Sequence, residues 1–406
     1  MSFVTHLESA LDGTRYPART LQTVHEGRPL WVRYDLEGVR RAVKRDDLLG
    51  REPTMWRYRE LLPVEHDENL VTLGEGITPL LPAPVLGSRL GVRNLVIKDE
   101  SRLPTGSFKS RGMAMAVSMA KELGVKRLAI PTAGNAGGAL AAYASRAGME
   151  CFVFMPEDTP IVNRLEAPLF GARAFLVNGL IHQCGKIVGE GAARMGWFDC
   201  STLKEPYRLE GKKTMGLELA EQSGWRLPDH IFYPTGGGTG LIGMWKAFAE
   251  LEALGWLEPG RKPRMHACQS SGCAPIPEAF ERGERFATPP DRPHTLASGL
   301  RVPRAVGDFM ILDAVRASGG RALASEEDRL LEWMSLACSL EGVSVCPESA
   351  ACMAALDRCV RDGTVKPDER VVVFNTGAVQ KYVEAMHAEL PRIDREAVDW
   401  ARIGSP

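Results

Sequence analysis

The chain has 406 residues, of which 44% are hydrophobic and 25% are charged, and its formal net charge at pH 7 is −1. This length and composition are those of a globular protein large enough for two domains with a deep cleft between them. A charge so close to zero argues against nucleic acid or a membrane surface as the main partner.

The cysteines and histidines show no pattern of a metal site or of a disulfide framework. Nine cysteines are scattered without a Cys-x-x-Cys pair, and the eight histidines have no metal-ligand spacing. This predicts buried, reduced thiols, and no metal is assigned. The first residues lack an apolar signal core and no stretch reaches transmembrane length, so we expect a cytoplasmic protein.

Short apolar strands alternate with longer helices from Leu73 onward. Strands are predicted at 94–98, 127–131, 151–155, 174–177, 230–234, 265–270 and 370–374. Helices are predicted at 108–123, 136–147, 161–170, 181–195, 207–223, 241–254, 325–340 and 349–361. Residues 1–65 show no strong period and are interpreted as an arm that packs against the body or a partner subunit.

This alternation predicts an α/β protein with two open, mostly parallel-sheet domains and a ligand in the cleft between them. Residues 66–110 and 206–406 are assigned to a large domain, and residues 111–205 to a small one. Ligands of such sheets bind beyond the carboxyl ends of the strands, so the loops that lead from strands into helices are the candidate site.

Lys109 stands at the start of a predicted helix, directly after the turn Pro104-Thr105-Gly106-Ser107-Phe108. The positive end of a helix lowers the pKa of a nearby lysine and favours the neutral amine that attacks a carbonyl carbon. A single lysine in a turn is more often a solvated surface residue, so the hypothesis depends on a second feature.

That feature is a run of small residues between the strand 230–234 and the helix 241–254, formed by Gly236, Gly237, Gly238, Thr239 and Gly240. Such a loop directs backbone N–H groups and a helix N-terminus at a phosphate. The spacing also fits a dinucleotide fingerprint, but the next strand ends at 268–271 without a carboxylate for the ribose. A reactive lysine with a phosphate cradle indicates pyridoxal phosphate.

Two more loops lie at predicted strand ends. Backbone N–H groups of Thr132, Ala133 and Gly134 could hold a substrate carboxylate, and Asn135 could donate to a phenolate oxygen, cap the next helix, or do both. Thr376 follows the buried-looking strand 370–374. A neutral hydroxyl facing a pyridine nitrogen suits elimination and replacement chemistry, although Thr376 alone is more typical of an ordinary turn residue.

Arg208 and Lys212 lie four residues apart and therefore share one face of the predicted helix 207–223. They could hold an anionic substrate together. The alternative is a solvated face on which Arg208 pairs with Glu205 or Glu210.

Seven segments taken in chain order resemble the threonine synthases, within the pyridoxal-phosphate enzymes of the tryptophan-synthase β-subunit type. They are residues 73–80, 104–113, 134–135, 208–214, 235–240, 347–351 and 376–377. The resemblance implies that Lys109 carries the cofactor beside Phe108. It also implies that Asn135 meets the phenolic oxygen, that the run from Gly236 to Gly240 holds the phosphate and that Thr376 meets the ring nitrogen.

The activity implied is the conversion of O-phosphohomoserine and water to threonine and phosphate by a homodimer, with Lys204 or Lys212 helping Arg208 to hold the substrate's anionic group. No cysteine precedes Cys151, so the zinc finger of some relatives is absent.

The chain departs from the family pattern on the substrate side. Ser110 replaces an aspartate, Ala133 and Ala136 replace hydroxyl residues, and residues 201–207 replace an Asn-Ser-x-Asn-Pro-His segment. Serine or threonine dehydration, β-replacement on O-phosphoserine, and cofactor binding without turnover therefore remain alternatives.

Overall fold

Three sheets and their covering helices organise the chain, of which a computed structural model describes residues 2–386 and 388–403. The strands are β1 (Val4–Ser9), β2 (Arg15–Pro17), β3 (Leu30–Tyr34), β4 (Leu80–Pro82), β5 (Asn94–Asp99), β6 (Arg127–Pro131), β7 (Glu150–Pro156), β8 (Arg173–Val177), β9 (Phe198–Asp199), β10 (His230–Pro234), β11 (Arg264–Ser270), β12 (Ala322–Ser325) and β13 (Arg370–Asn375).

The helices alternate with these strands over most of the chain. They are α1 (Leu36–Ala42), α2 (Pro84–Leu90), α3 (Lys109–Glu122), α4 (Ala136–Arg146), α5 (Ile161–Leu169), α6 (Ile181–Met195), α7 (Tyr207–Gln222), α8 (Thr239–Ala253), α9 (Pro275–Glu281), α10 (Asp308–Ala317), α11 (Glu327–Glu341), α12 (Pro347–Arg361) and α13 (Trp400–Ile403). Within the described residues, none of them is long and apolar enough to cross a membrane.

Two of the sheets are parallel and confirm the α/β fold class. The larger has the order β12-β11-β10-β13-β5-β4, and only β4 runs antiparallel to its neighbour. The smaller has the order β8-β7-β6-β9 and is parallel throughout. Central strands such as β10 are buried along their whole length because helices cover both faces of the sheet, which explains their continuous apolar sequence.

The N-terminal arm contains a sheet that the sequence did not reveal. β2, β1 and β3 form a three-stranded antiparallel sheet with β1 in the centre, and this sheet packs on the body of the same chain. The Tyr34 hydroxyl donates to Glu210 at 2.7 Å, and Arg28 pairs with Asp308 at 2.9 Å. These strands alternate polar and apolar residues only briefly, so their periodicity is too weak to be recognised.

The second half of the chain also differs from prediction. The sequence did not predict β12, α9 or α10. The helix predicted from residue 325 begins two residues later, because Ser325 ends β12 and pairs with Ser270 in the sheet. β12 has only four residues, Ala-Leu-Ala-Ser, whose alanines carry little strand preference, so its pairing depends on the neighbouring β11.

Candidate active site

The loops predicted to bind ligand meet in one cavity of about 150 Å³. It lies where the carboxyl end of β6 in the smaller sheet faces the carboxyl ends of β10 and β13 in the larger one. The predicted site residues among its lining are Phe108, Lys109, Thr132, Ala133, Gly134, Asn135, Arg208, Gly236, Gly237, Gly238, Thr239, Gly240 and Thr376. Residues far apart in the chain thus share one small volume.

Lys109 is the first residue of α3, and its Nζ lies 3.9 Å from the ring centroid of Phe108. Removal from bulk water lowers the pKa of Lys109 to about 7, and the positive charge of Arg208 acts in the same direction. The sequence predicted this direction from the helix end, whereas desolvation is the largest cause. The neutral amine is therefore well populated at neutral pH.

The position of α3 is held by charged groups buried beneath Lys109. Arg111, two residues further along α3, donates to Glu100 at 2.6 Å and to Glu218 at 2.8 Å. Burial alone would raise the pKa of Glu218, but Arg111 and Lys98 lower it to about 2. Because each charge has an opposite partner, the network fixes α3 against α7 despite the cost of burying ions.

The segment 73–80, which belongs to the family resemblance, supports this network and does not line the cavity. The backbone N–H of Thr78 donates to Glu218 at 2.7 Å. Glu75 accepts from Trp56 in the N-terminal arm at 2.9 Å and from the Tyr143 hydroxyl in α4 at 2.7 Å. Its contribution to the site is therefore structural.

The loop after β10 exposes a row of unpaired backbone donors. In the described part of the chain, no protein acceptor receives the N–H groups of Gly236, Gly237, Gly238, Thr239 and Gly240. Gly238 precedes the first residue of α8 and has a φ of +75°, which glycine adopts without strain. Consecutive free N–H groups at a helix N-terminus fit a phosphate.

Asn135 reaches across the cavity toward the C-terminal region. Its Nδ2 donates to the Tyr382 hydroxyl at 3.0 Å, and its Oδ1 is buried without a partner among the described residues. Asn135 occupies the N-cap position of α4, but its side chain makes no capping hydrogen bond. The side chain of Asn135 therefore does not cap α4, and its amide group is available to a ligand.

Thr376 is 5% exposed and is held at its backbone from two directions. Its N–H donates to the Ser349 hydroxyl at 3.0 Å, and its carbonyl accepts from the N–H of Phe108 at 3.0 Å. The second bond ties the end of β13 to the start of the lysine helix. These two backbone hydrogen bonds fix the position of Thr376 on the cavity wall.

Arg208 is 1% exposed, so the solvated-face alternative is wrong. Its guanidinium donates to the Cys200 carbonyl at 2.7 Å, while Nε is buried without a partner among the described residues. Neither proposed carboxylate pairs with it. Glu205 instead accepts from the backbone N–H of Arg208 at 3.1 Å, and Glu210 pairs with Lys213. A buried cation without a carboxylate partner faces the cavity.

The two lysines predicted to assist Arg208 do not line the cavity. Lys212 is buried, and its Nζ donates to the Phe108 carbonyl. Burial and the charge of Lys109 lower the pKa of Lys212 well below its ordinary value. Lys204 points away and lies 3.7 Å from Asp199. The helical spacing of Arg208 and Lys212 was interpreted correctly, but their surroundings give the two side chains different partners.

Six further residues that line the cavity have polar side chains to which the sequence analysis assigned no role. They are Thr202, Tyr233, Ser298, Arg301, Glu348 and Tyr382. Glu348 belongs to the segment 347–351, which is part of the family resemblance and lies at a helix start, and this position was a signal in the sequence that could have identified it. Ser298 begins the short 3₁₀ helix Ser298–Leu300 and Arg301 follows it directly, and no local pattern in the sequence indicates that this segment reaches the cavity.

Comparison with known proteins shows the family of the chain. Residues 71–377 match the family model of the pyridoxal-phosphate dependent enzymes. The threonine synthase of Methanocaldococcus jannaschii is 35% identical over 358 residues, which is 88% of each chain. That of Halalkalibacterium halodurans is 30% identical over 366 residues, covering 87% of this chain and 99% of the relative.

Solved structures with a similar fold include a threonine deaminase from T.th. and diaminopropionate ammonia lyase from Escherichia coli. The first has a TM-score of 0.61 and 25% identity, over 74% of this chain and 92% of that chain. The second has a TM-score of 0.66 and 16% identity, over 78% and 90%.

The fold and the cavity are those of a lyase of fold type II whose cofactor is pyridoxal phosphate. The chain belongs to the pyridoxal-phosphate dependent enzymes and, among them, is similar to the threonine synthases. The residues present fit the cofactor, because a neutral lysine amine and a row of free N–H groups at a helix N-terminus surround one volume.

The pKa of Lys109 sets the pH range in which the cofactor-free protein takes up pyridoxal phosphate. Below about pH 7 the attachment rate is expected to rise roughly tenfold per pH unit, and above it the rate levels off, because only the neutral amine reacts. Stopped-flow absorbance measures this profile. Arg208→Gln removes a neighbouring cation and should move the midpoint to higher pH. A wild-type midpoint near the ordinary lysine value of 10.5 would contradict the prediction.

Gly236→Ala is expected to weaken cofactor binding, because the added Cβ would lie 2.3 Å from the Gly299 carbonyl oxygen. Displacing a backbone costs about 1–3 kcal/mol, or roughly ten- to hundredfold in Kd. Gly134→Ala is the matched control, since its nearest neighbours would be 3.7 and 3.9 Å away. Absorbance titration of the cofactor-free variants compares the two. Equal cofactor affinities would show that close packing of the phosphate loop does not matter.

Proposed function

We propose that this protein converts O-phosphohomoserine and water to threonine and phosphate. The observation that carries the proposal is Arg208, a buried guanidinium that has no carboxylate partner among the described residues and lines the same cavity as Lys109. Arginine suits phosphate because its planar group can donate two hydrogen bonds. The relatives that cover most of the chain are threonine synthases, which supports the same choice.

Lys109 serves as the proton carrier of the reaction. Pyridoxal phosphate, when bound, withdraws electrons from the substrate's Cα. The amine of Lys109, once it is free of the cofactor, would remove the proton at Cα. Its pKa of about 7 lets it accept and return protons at neutral pH. Its place at the cavity wall keeps those transfers away from bulk water.

The loop after β6 binds the substrate carboxylate. Two of the three N–H groups predicted for this role are already used within the protein, since Gly134 donates to the Thr132 hydroxyl at 3.1 Å and Thr132 donates to the Phe154 carbonyl at 2.9 Å. The prediction is therefore corrected to the free N–H groups of the same loop. The N–H groups of Ala133, Asn135 and Ala136 have no acceptor in the described part of the chain. They lie at the N-terminus of α4, where a carboxylate is favoured. The alanines remove two hydroxyl groups found in relatives but leave the backbone donors in place.

Dehydration of serine or threonine is the second candidate. The threonine deaminase from T.th. shares the fold at 25% identity, and residues 201–207 here do not follow the threonine synthase pattern. This segment contributes Thr202 to the cavity. A deaminase has no phosphate on its substrate to bind, so a guanidinium at Arg208 without a carboxylate partner among the described residues favours the first proposal.

The deciding experiment assays the purified holoenzyme with O-phosphohomoserine, threonine, serine and O-phosphoserine. We expect threonine and phosphate in equal amounts from O-phosphohomoserine, with the highest kcat/KM of the four. A higher kcat/KM for 2-oxo acid formation from serine or threonine would establish the dehydratase. Preferential release of phosphate from O-phosphoserine in the presence of a nucleophile would establish β-replacement. Absence of every product would leave a cofactor-binding protein without turnover.

We also propose that the protein is a homodimer. Leu165 and Leu169 of α5 are 62% and 80% exposed, and Phe175 and Leu176 of the edge strand β8 are 46% and 52% exposed. Exposed apolar side chains on and near an open sheet edge are typical of a contact with another subunit. Light scattering should give twice the mass of one chain, and Leu169→Glu should give a single chain. A monomeric wild-type protein would refute the proposal.

A further inference from the structure

Glu348 is a buried carboxylate on the cavity wall that the proposed reaction does not use. It is 4% exposed and is the second residue of α12. Its Oε1 accepts from the N–H of Gly299 at 2.8 Å, whereas Oε2 is buried and has no donor within hydrogen-bond distance among the described residues. Tyr382 and Cys346 face the same carboxylate, and burial together with the charge of Glu348 raises the pKa of both groups. An unpaired carboxylate oxygen in a buried place is costly, so a ligand group is expected to satisfy it.

The positive ends of backbone dipoles surround the carboxylate of Glu348. The N–H of Gly299 donates to it, and the N-terminus of a 15-residue helix lies beside it. An anion at this position repels the carboxylate and phosphate of a substrate, which find donors at Arg208 and at the loop after β6. The complementary substrate group is a cation, and every amino acid supplies one in its α-ammonium group.

The α-ammonium group must also come to the place that Glu348 occupies. The incoming nitrogen replaces Nζ of Lys109 on the cofactor, so it has to approach that atom. Glu348 lines the same cavity as Lys109, and its charge opposes the lowering of the pKa of Lys109 by burial. An ammonium group has no lone pair, so it cannot attack a carbonyl carbon until it loses a proton.

We propose that Oε2 of Glu348 binds the α-ammonium group of the incoming amino acid and takes one proton from it. The N–H bond breaks, its electron pair remains on nitrogen, and an O–H bond forms on Glu348. The neutral amine then replaces Lys109 on the cofactor. The carboxyl group keeps the proton until the product amine leaves and takes it back, so the cycle closes without another reagent.

This inference rests on the cofactor chemistry of the family and not on the identity of the substrate. The inference can therefore be wrong while the proposed function is right, and it can be right while the proposed function is wrong. The competing view is that Glu348 only positions the loop of residues 298–301 through the N–H of Gly299. Glu348→Gln separates the two roles, because the amide oxygen still accepts that hydrogen bond but takes up no proton.

The experiment mixes holoenzyme with serine or with methoxyamine and follows the cofactor absorbance by stopped flow. Serine reaches the site as an ammonium ion, whereas methoxyamine is a neutral nucleophile at pH 7. Glu348→Gln is expected to slow the serine reaction at least about a hundredfold at pH 7, the lower end of general-base effects. The loss should shrink as the pH rises and free serine becomes neutral. The methoxyamine rate should change less than about twofold.

Equal slowing with both nucleophiles would overturn the proposal in favour of a positioning role, and unchanged rates would overturn it outright. Glu348→Asp provides the same comparison if the Gln variant does not retain cofactor. The shorter carboxylate is expected to slow serine selectively and to leave methoxyamine unaffected. Selective slowing that does not shrink at high pH would also contradict proton transfer.

Discussion

Lys109→Ala is expected to lower turnover by more than about 10⁴-fold, because the variant loses both the covalent link to the cofactor and the base that acts at Cα. The variant should still bind pyridoxal phosphate, since the N–H groups of the loop after β10 remain. The bound cofactor should lose the long-wavelength absorption that depends on the lysine link. Borohydride treatment followed by peptide mapping should label Lys109 in the wild-type protein and no lysine in the variant.

Lys121→Ala is the matched control for this substitution. Lys121 belongs to the same helix α3 but is exposed, and its Nζ donates to the carbonyl of Glu68. We expect its absorption spectrum and kcat to equal those of the wild-type protein. Borohydride labelling of a lysine other than Lys109 in the wild-type protein would refute the assignment.

Arg208→Ala is expected to raise KM for O-phosphohomoserine about ten- to hundredfold, since a lost charge-assisted hydrogen bond costs roughly 1.5–3 kcal/mol. The physical reason is the buried guanidinium, which has one protein acceptor at Cys200 and no carboxylate partner among the described residues. The spectrum of the bound cofactor should persist. Steady-state kinetics together with absorbance distinguish this outcome from a general loss of folding.

Lys204→Ala tests the expectation from sequence that this lysine shares the task. Lys204 pairs with Asp199 outside the cavity, so its removal should change KM by less than about twofold. A large rise in KM with Lys204→Ala and none with Arg208→Ala would show that the anionic group is assigned to the wrong cation. If Arg208→Ala loses stability without any change in KM, Arg208 is structural.

Much of the fold was predictable because its signals are local. The strands 127–131 and 230–234 match β6 and β10 residue for residue, since short apolar runs ended by glycine or proline are distinctive. The glycine loop and Lys109 follow from the same alternation, because every βα junction at one edge of a sheet faces the same cleft. β12 and the N-terminal three-stranded sheet were missed, since these short strands have little periodicity of their own and form by pairing with other strands.

The cavity was only partly predictable for a different reason. Helical spacing correctly placed Arg208 and Lys212 on one face, but it does not say which neighbour covers each side chain. Glu348 and Tyr382 come from segments more than 200 residues after Lys109 and reach it only through the packing of α12 and β13. The functions assigned to the individual lining residues stay predictions until the variants are measured.

The sequence by itself determined the order of the βα units, the lysine at a helix start and the loop of free N–H groups, because these depend on residues adjacent in the chain. The tertiary structure decided which cation has no carboxylate partner among the described residues and how far the pKa of Lys109 falls. It also decided which buried carboxylate oxygen lacks a hydrogen-bond donor there. Desolvation and hydrogen-bond pairing depend on whatever surrounds a group in space. Those surroundings come from distant parts of the chain, and no local pattern encodes them.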